Sequence, residues 1–199
     1  MKTTLLLKGT LGILAILTLS AQAEEACKAE FRQFLTTDNS VFPYEIDITS
    51  EYSGKINKAK SIVYSPTKSV TFSTNEFWFA ANGQMTYQST DQGAYWKKTH
   101  TLPADHWEKT AAIMNQQADD ATDLICKDGV SHNGKNYRLI QANTITANGT
   151  NTPVKFSFFA DNSGVWQVSI AELMIAEELS VVVSTKTKQG EGVQLIDVE

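Results

Sequence analysis

The chain has 199 residues, with 17 lysines and arginines against 22 aspartates and glutamates, a formal net charge of −5. That balance keeps a protein soluble and argues against nucleic acid or an anionic membrane surface as partner. The three histidines, His100, His106 and His132, show no ligand spacing around either of the two cysteines, so a metal site is not expected.

Residues 1–23 read as a cleavable secretory signal. Lys2 and Lys8 form a positive start, Leu11–Leu19 an apolar stretch, and Ala21-Gln22-Ala23 puts small side chains at the cleavage positions, with the cut after Ala23. The apolar stretch is shorter than the roughly 20 residues a spanning helix needs, though a retained anchor is the alternative. Glu25-Ala26 before Cys27 does not spell a lipobox. Cleavage leaves 176 residues with 15 basic and 22 acidic side chains, a net −7, located in the periplasm. Nothing after residue 23 is long and apolar enough to be a transmembrane helix. Residues 24–199 are expected to form one domain.

Cys27 and Cys126 are the only cysteines. An even pair in an exported chain is most simply a disulfide, closing a loop of about 100 residues. Two buried free thiols are the alternative.

The first mature segment, 24–36, places Cys27, Phe31, Phe34 and Leu35 on one helical stripe. Tyr44, Ile46, Ile48 and Tyr52 then alternate with Glu45, Asp47, Thr49 and Glu51, a half-buried strand after Pro43. Ile62 and Tyr64, then Val70 and Phe72, continue the pattern across Ser65-Pro66-Thr67. Phe77-Trp78-Phe79 runs into Asn82-Gly83, a two-residue hairpin signal, and Asp91-Gln92-Gly93 turns Met85–Ser89 back onto Tyr95–Thr99. Trp107, Ala111, Met114, Ala118, Ala121 and Ile125 recur at helical spacing, with Asp105 and Glu108 resembling a capping box. This predicts a helix ending near Cys126, stapled by the disulfide to the N-terminal helix. Asn133-Gly134 leads into a strand over 137–146. Strands at 154–158 and 166–170 are joined by Asp161-Asn162-Ser163-Gly164, and segments 179–184 and 193–198 complete the set. Leu173–Leu179 reads as a short helix or an irregular crossover.

About ten strands joined by short turns imply an antiparallel meander. The predicted class is α+β, one large curved sheet with an N-terminal and a mid-chain helix packed on one face. An outer-membrane barrel is disfavoured, because the strands are short and a long acidic helix interrupts them.

The order of features resembles a family. Ala26-Cys27 is followed by Phe31 and Phe34, and Pro43-Tyr44 opens a first strand. Tyr95-Trp96-Lys97, Leu124-Ile125-Cys126-Lys127-Asp128-Gly129, the turn Asn133–Tyr137 and the late Ile196-Asp197-Val198 come after it. Together they resemble the periplasmic half-barrel proteins related to the outer-membrane lipoprotein carrier, LolA-like and mycobacterial LppX-like. The chain departs from that pattern at Ser163-Gly164-Val165-Trp166, where these proteins often carry a Gly-Leu-Pro-like turn. No functional residue of the family maps onto a position here. The resemblance implies an incomplete barrel wrapped around helices on its concave face, with an apolar cavity able to accept lipid.

Catalytic signatures are absent: there is no Gly-x-Ser-x-Gly elbow, His-Glu-x-x-His, Cys-x-x-Cys or phosphate-binding glycine loop. Asp119-Asp120-Ala121-Thr122-Asp123 spells an Asp-Asp-x-x-Asp motif but falls on the expected solvent face of the long helix. His100 and His106 read as exposed loop histidines rather than a pH latch, and Asp161–Gly164 as a turn rather than a calcium loop. The aromatic load is the suggestive surplus. Around Phe77–Phe79 and Phe158-Phe159 bulky groups point to both faces of a strand, so the second set must meet a helix, a partner or a ligand. The expected function is non-catalytic, without cofactor: a carrier for an apolar or lipid ligand. Phe72, Phe77, Phe79, Trp96, Trp107, Met114, Phe156 and Phe158 are the candidate binding residues. The alternative is an envelope protein-interaction module, such as a stress sensor, inhibitor or immunity protein, using the exposed aromatics or the acidic helix face.

Overall fold

Period-two alternation between short turns builds neighbouring strands into hairpins, and in this chain the hairpins run on until they form one sheet. A computed structural model describes residues 10–36, 41–73, 77–145, 152–162, 166–175 and 180–193. In chain order it has helix α1 (Thr10–Thr36), strands β1 (Tyr44–Tyr52), β2 (Lys55–Ser65), β3 (Lys68–Ser73), β4 (Trp78–Asn82), β5 (Met85–Ser89) and β6 (Lys97–Thr101), and helix α2 (His106–Asp119). Strands β7 (Thr122–His132), β8 (Lys135–Ile145), β9 (Pro153–Asn162), β10 (Trp166–Ile175) and β11 (Ser180–Gln189) follow, with a last 3₁₀ turn at Gly190–Gly192.

The eleven strands form one sheet in the order β6-β5-β4-β3-β2-β1-β11-β10-β9-β8-β7. Every strand pairs with its sequence neighbour except at one place, where β1 pairs antiparallel with β11. The two edges, β6 and β7, are consecutive in sequence, and α2 is the connection between them. The result is an open, curved half-barrel with its helices on one face. Short turns suffice because all pairings are antiparallel. At Asn133-Gly134 both residues have positive φ, 49° and 77°, the backbone a tight type I′ hairpin requires.

The first helical stripe lies as expected: Cys27, Phe31, Phe34 and Leu35 are all buried. Several other expectations are corrected. The mid-chain helix stops at Asp119, and Ile125 and Cys126 lie on β7. Ala121 still packs against the core just beyond the helix, but Ile125, paired with Gln141 and half-exposed, points away from it, and its neighbours Leu124 and Cys126 take the inward side. Asp105 stands at the N-cap of α2 but makes no side-chain cap bond. Its carboxylate pairs with Lys109, 2.7 Å away. Leu173, Met174 and Ile175 continue strand β10, pairing with Phe156, Lys155 and Val154 of β9, so the local helix preference yields to the sheet. The last candidate strand, 193–198, falls outside the described residues beyond Val193. No described helix is long and apolar enough to cross a membrane.

Candidate functional site

The site begins with how the helices are held on the sheet. Cys27 of α1 and Cys126 of β7 form a disulfide, Cα–Cα 5.7 Å. It joins α1 to an edge strand rather than to the long helix. The chain's two arginines add to the same attachment. Arg138 on β8 makes a two-pronged pair with Glu30 of α1, at 2.6 and 2.7 Å, and a third bond to Asp128 at 2.6 Å. Glu30 foremost raises the Arg138 pKa above its ordinary value, against burial and with help from Asp128. Arg32 of α1 pairs with Asp119 at the end of α2, and Lys28 Nζ donates to the Asp119 carbonyl at 2.6 Å. At its other end α2 is tied down by Trp107, whose indole N–H donates to the Gly83 carbonyl at 2.8 Å.

Beneath this layer Phe31, Phe34, Leu35 and Ala118 pack against Ile140, Ala142, Phe158 and Ala160. Phe158 stands between Phe31 and Phe34, ring centroids 5.8 and 6.1 Å away. The strand register carries this inner face across the sheet. Ile140, Phe158, Ala171, Ser184 and Ile48 are successive cross-strand partners, as are Ala142, Phe156, Leu173 and Val182. Helix α1 packs on β7 and β8, and α2 on β8. The inner face therefore stays apolar through β9, β10, β11 and β1 while the helical cover runs out. At that seam lies a cleft of about 310 Å³, with Phe34, Leu35 and Met114 on the helix side. Its sheet side includes Ile46, Phe156, Phe158, Leu173 and Val182. Its polar end is formed by Ser184, Lys186 and Tyr44, with the Lys186 ammonium 5.0 Å from the centre of the Tyr44 ring. Burial pushes the Lys186 pKa down, with the charge of Asp161 opposing.

Of the eight candidate residues, the structure brings Met114, Phe156 and Phe158 together on this cleft. The other five lie elsewhere. Phe72 and Trp96 pack on the opposite, outer face with Tyr64, Val70, Ala80 and Tyr87. Trp107 is the anchor of α2. Phe77 and Phe79 are 45% and 50% exposed, away from the cleft. The residues that sequence reasoning left out are chiefly Tyr44, Ile46, Leu173, Val182 and Lys186. Their alternation was readable, but not the pairing of β1 with β11 that makes them neighbours. The outward aromatics find partners in their own sheet: Phe159 packs with Tyr137 and Ile170, and Trp78 with Phe72 and Trp96.

The acidic motif is dispersed. Asp119 is paired with Arg32, Asp120 accepts a bond from Gln116 at 2.8 Å, and Asp123, on β7, accepts one from Asn143 at 2.9 Å. The expected solvated helix face is thus three carboxylates with three different neighbours. His100 lies on β6 rather than in a loop, and His106 stacks edge-on against Trp107, centroids 4.9 Å apart.

No protein-family profile matches the chain, and no curated protein matches it. Among solved structures, the lipoprotein LppX of Mycobacterium tuberculosis superposes with a TM-score of 0.55 at 14% identity, covering 85% of this chain and 98% of that one. LprF of Mycobacterium bovis is also similar, with a TM-score of 0.45 at 9% identity over 85% of this chain and 97% of that one. An 11-stranded open sheet with a helical layer at one end, seen in this chain and superposable on the first of these, is the LppX-like half-barrel fold.

Proposed function

We propose that this chain is an exported, non-catalytic binding or carrier protein that holds an apolar chain, an acyl chain first of all, in the cleft between the helices and β1, β9, β10 and β11. The observation that carries this reading is the mismatch at the seam. Ile46, Val182 and Leu173 present hydrocarbon on the inner face beyond the reach of α1 and α2, and a cleft of about 310 Å³ remains over them. Apolar surface of this kind is retained where something covers it. Met114, Phe156 and Phe158 contact the occupant in this reading. Burying ten methylenes would contribute roughly 8 kcal/mol before the entropy cost of association. Export after Ala23 is part of the proposal and is checked by N-terminal sequencing of the secreted protein, which should begin at Glu24.

Native mass spectrometry of the protein purified from its own envelope fraction tests the reading. A releasable lipid adduct is the expected result; a protein that is always empty and takes up no acyl probe in vitro counts against it. A second reading, a protein-interaction module, is favoured by one observation: Phe77 and Phe79 stay half-exposed. A stoichiometric partner that is lost on Phe79→Ser, with lipid uptake unchanged, would support it.

A further inference from the structure

Strand β11 changes character along its inward side. Val182, Ser184 and Lys186 face the cleft in turn, opposite Leu173, Ala171 and Ile46 on the neighbouring strands. Val182 and Lys186 are four residues apart, about 13 Å at ~3.3 Å per residue. The cleft therefore has a hydrocarbon end and, one chain-length away, a cationic end.

The two lysines at the end of β11 are used differently. Lys188, paired with Glu45 in the register, faces outward and has its acid: Nζ lies 3.5 Å from the buried Glu45 carboxylate, which Lys60 also holds at 2.8 Å. Lys186 faces inward, over the Tyr44 ring. Among the described residues no carboxylate stands within ion-pair distance of it. Asp161 acts on it only at longer range. Glu172 borders the cleft, but its carboxylate lies 3.8 Å from His132 on the outer face. A partly desolvated ammonium over an aromatic ring, with no carboxylate in ion-pair reach among the described residues, is incompletely satisfied, and an anion at the cleft would complete it. The volume also limits the occupant. About 310 Å³ is at the bottom of the ~300–1,000 Å³ range of small-molecule pockets, enough for one chain and not several.

We infer that the occupant is a singly acylated anionic amphiphile, its carboxylate or phosphate set against Lys186 and its chain running towards Val182, Leu173 and Phe156. This rests on the carrier reading above and adds charge and polarity to it. The test is calorimetric titration with dodecanoate, dodecyl phosphate and the uncharged dodecanol, against the native protein, Lys186→Met and Lys186→Arg. The native protein should bind at least one of the two anions about tenfold more tightly than dodecanol, and the anion preferred identifies the head group. Lys186→Met should erase that preference, and Lys186→Arg should keep it. Equal binding of all three probes by the native protein overturns the inference and leaves the carrier reading standing. A preference that survives in Lys186→Met overturns it too. Binding of none of the three overturns both.

Discussion

The two halves of the sheet solve the same problem in opposite ways. From β7 to β9 the inward positions are mostly apolar, and they are covered by α1 and α2. From β2 to β5 the inward row through Ile46 continues as Ser61, Thr71, Phe79 and Gln88, mostly polar, and α2 reaches this half at the β4–β5 turn, through the Trp107 bond to Gly83. Here the buried cluster is on the outer face instead, around Val70 and Ala80. The loop before β6 closes over it, and Gly93 is required there: φ is +87°, and a Cβ would meet the Trp78 ring at 2.7 Å. Which face a helix layer covers is thus decided strand by strand, by the polarity of alternate residues. The cleft is where the two patterns meet, with apolar inward residues and too little helix.

Substitutions can break this comparison on either side. The largest effect is expected at Phe158, wedged between Phe31 and Phe34. Phe158→Ala should cost about 4 kcal/mol in denaturant unfolding. Removing the disulfide with Cys27→Ser and Cys126→Ser should cost about 3 kcal/mol, and hydrogen exchange should rise in α1 and β7 but not in β2–β5. Uniform exchange over both halves would contradict their independence. Arg138→Ala, which leaves Glu30 largely buried and unpaired, should cost about 2 kcal/mol. Gly93→Ala should reverse the pattern, loosening the outer cluster by about 1–3 kcal/mol through backbone strain and the Trp78 contact. Tryptophan fluorescence would report it without change around α1.

The smallest effect is a pH dependence. Glu45 is 5% exposed on the outer face. Its hydrogen bond from Lys60 holds its pKa below the usual carboxylate value against burial, helped by Thr187 and the charges of Lys60 and Lys188. A depressed folded-state pKa contributes stability that is present above the unfolded value, about 4.3, and is lost as pH falls through the folded one. Glu45→Gln should therefore flatten the acid limb of the stability profile. An unchanged acid limb would show that other carboxylates govern it.

Much of the fold is legible in the sequence because it is local. The N-terminal stripe, the strands and their turns follow from period 3.6, period 2 and Gly-containing turns. The end of α2 was not, since Ala121 and Ile125 keep helical spacing although the helix stops at Asp119, with Ala121 packed on the core and Ile125 half-exposed on the other face of β7. Leu173–Ile175 was not either, since its helix preference is outweighed by pairing with β9 and β11. The site was legible in part. Met114, Phe156 and Phe158 stand out as bulky residues on covered elements. Trp96 and Phe72 look the same in sequence but face the other way. Lys186 could not be found, because although it alternates with Val182 and Ser184, that this row faces the cleft follows only from the pairing of β11 with the distant β1 and with β10.

The central claim is that the seam between the two halves is a binding cleft. It is tested most directly by filling it: Val182→Phe, titrated with dodecanoate and dodecyl phosphate beside the native protein, with thermal melting as the control for folding. The account predicts that acyl binding falls at least tenfold while the melting temperature stays within a few degrees. Undiminished binding in a well-folded Val182→Phe would place the ligand, if there is one, outside this cleft.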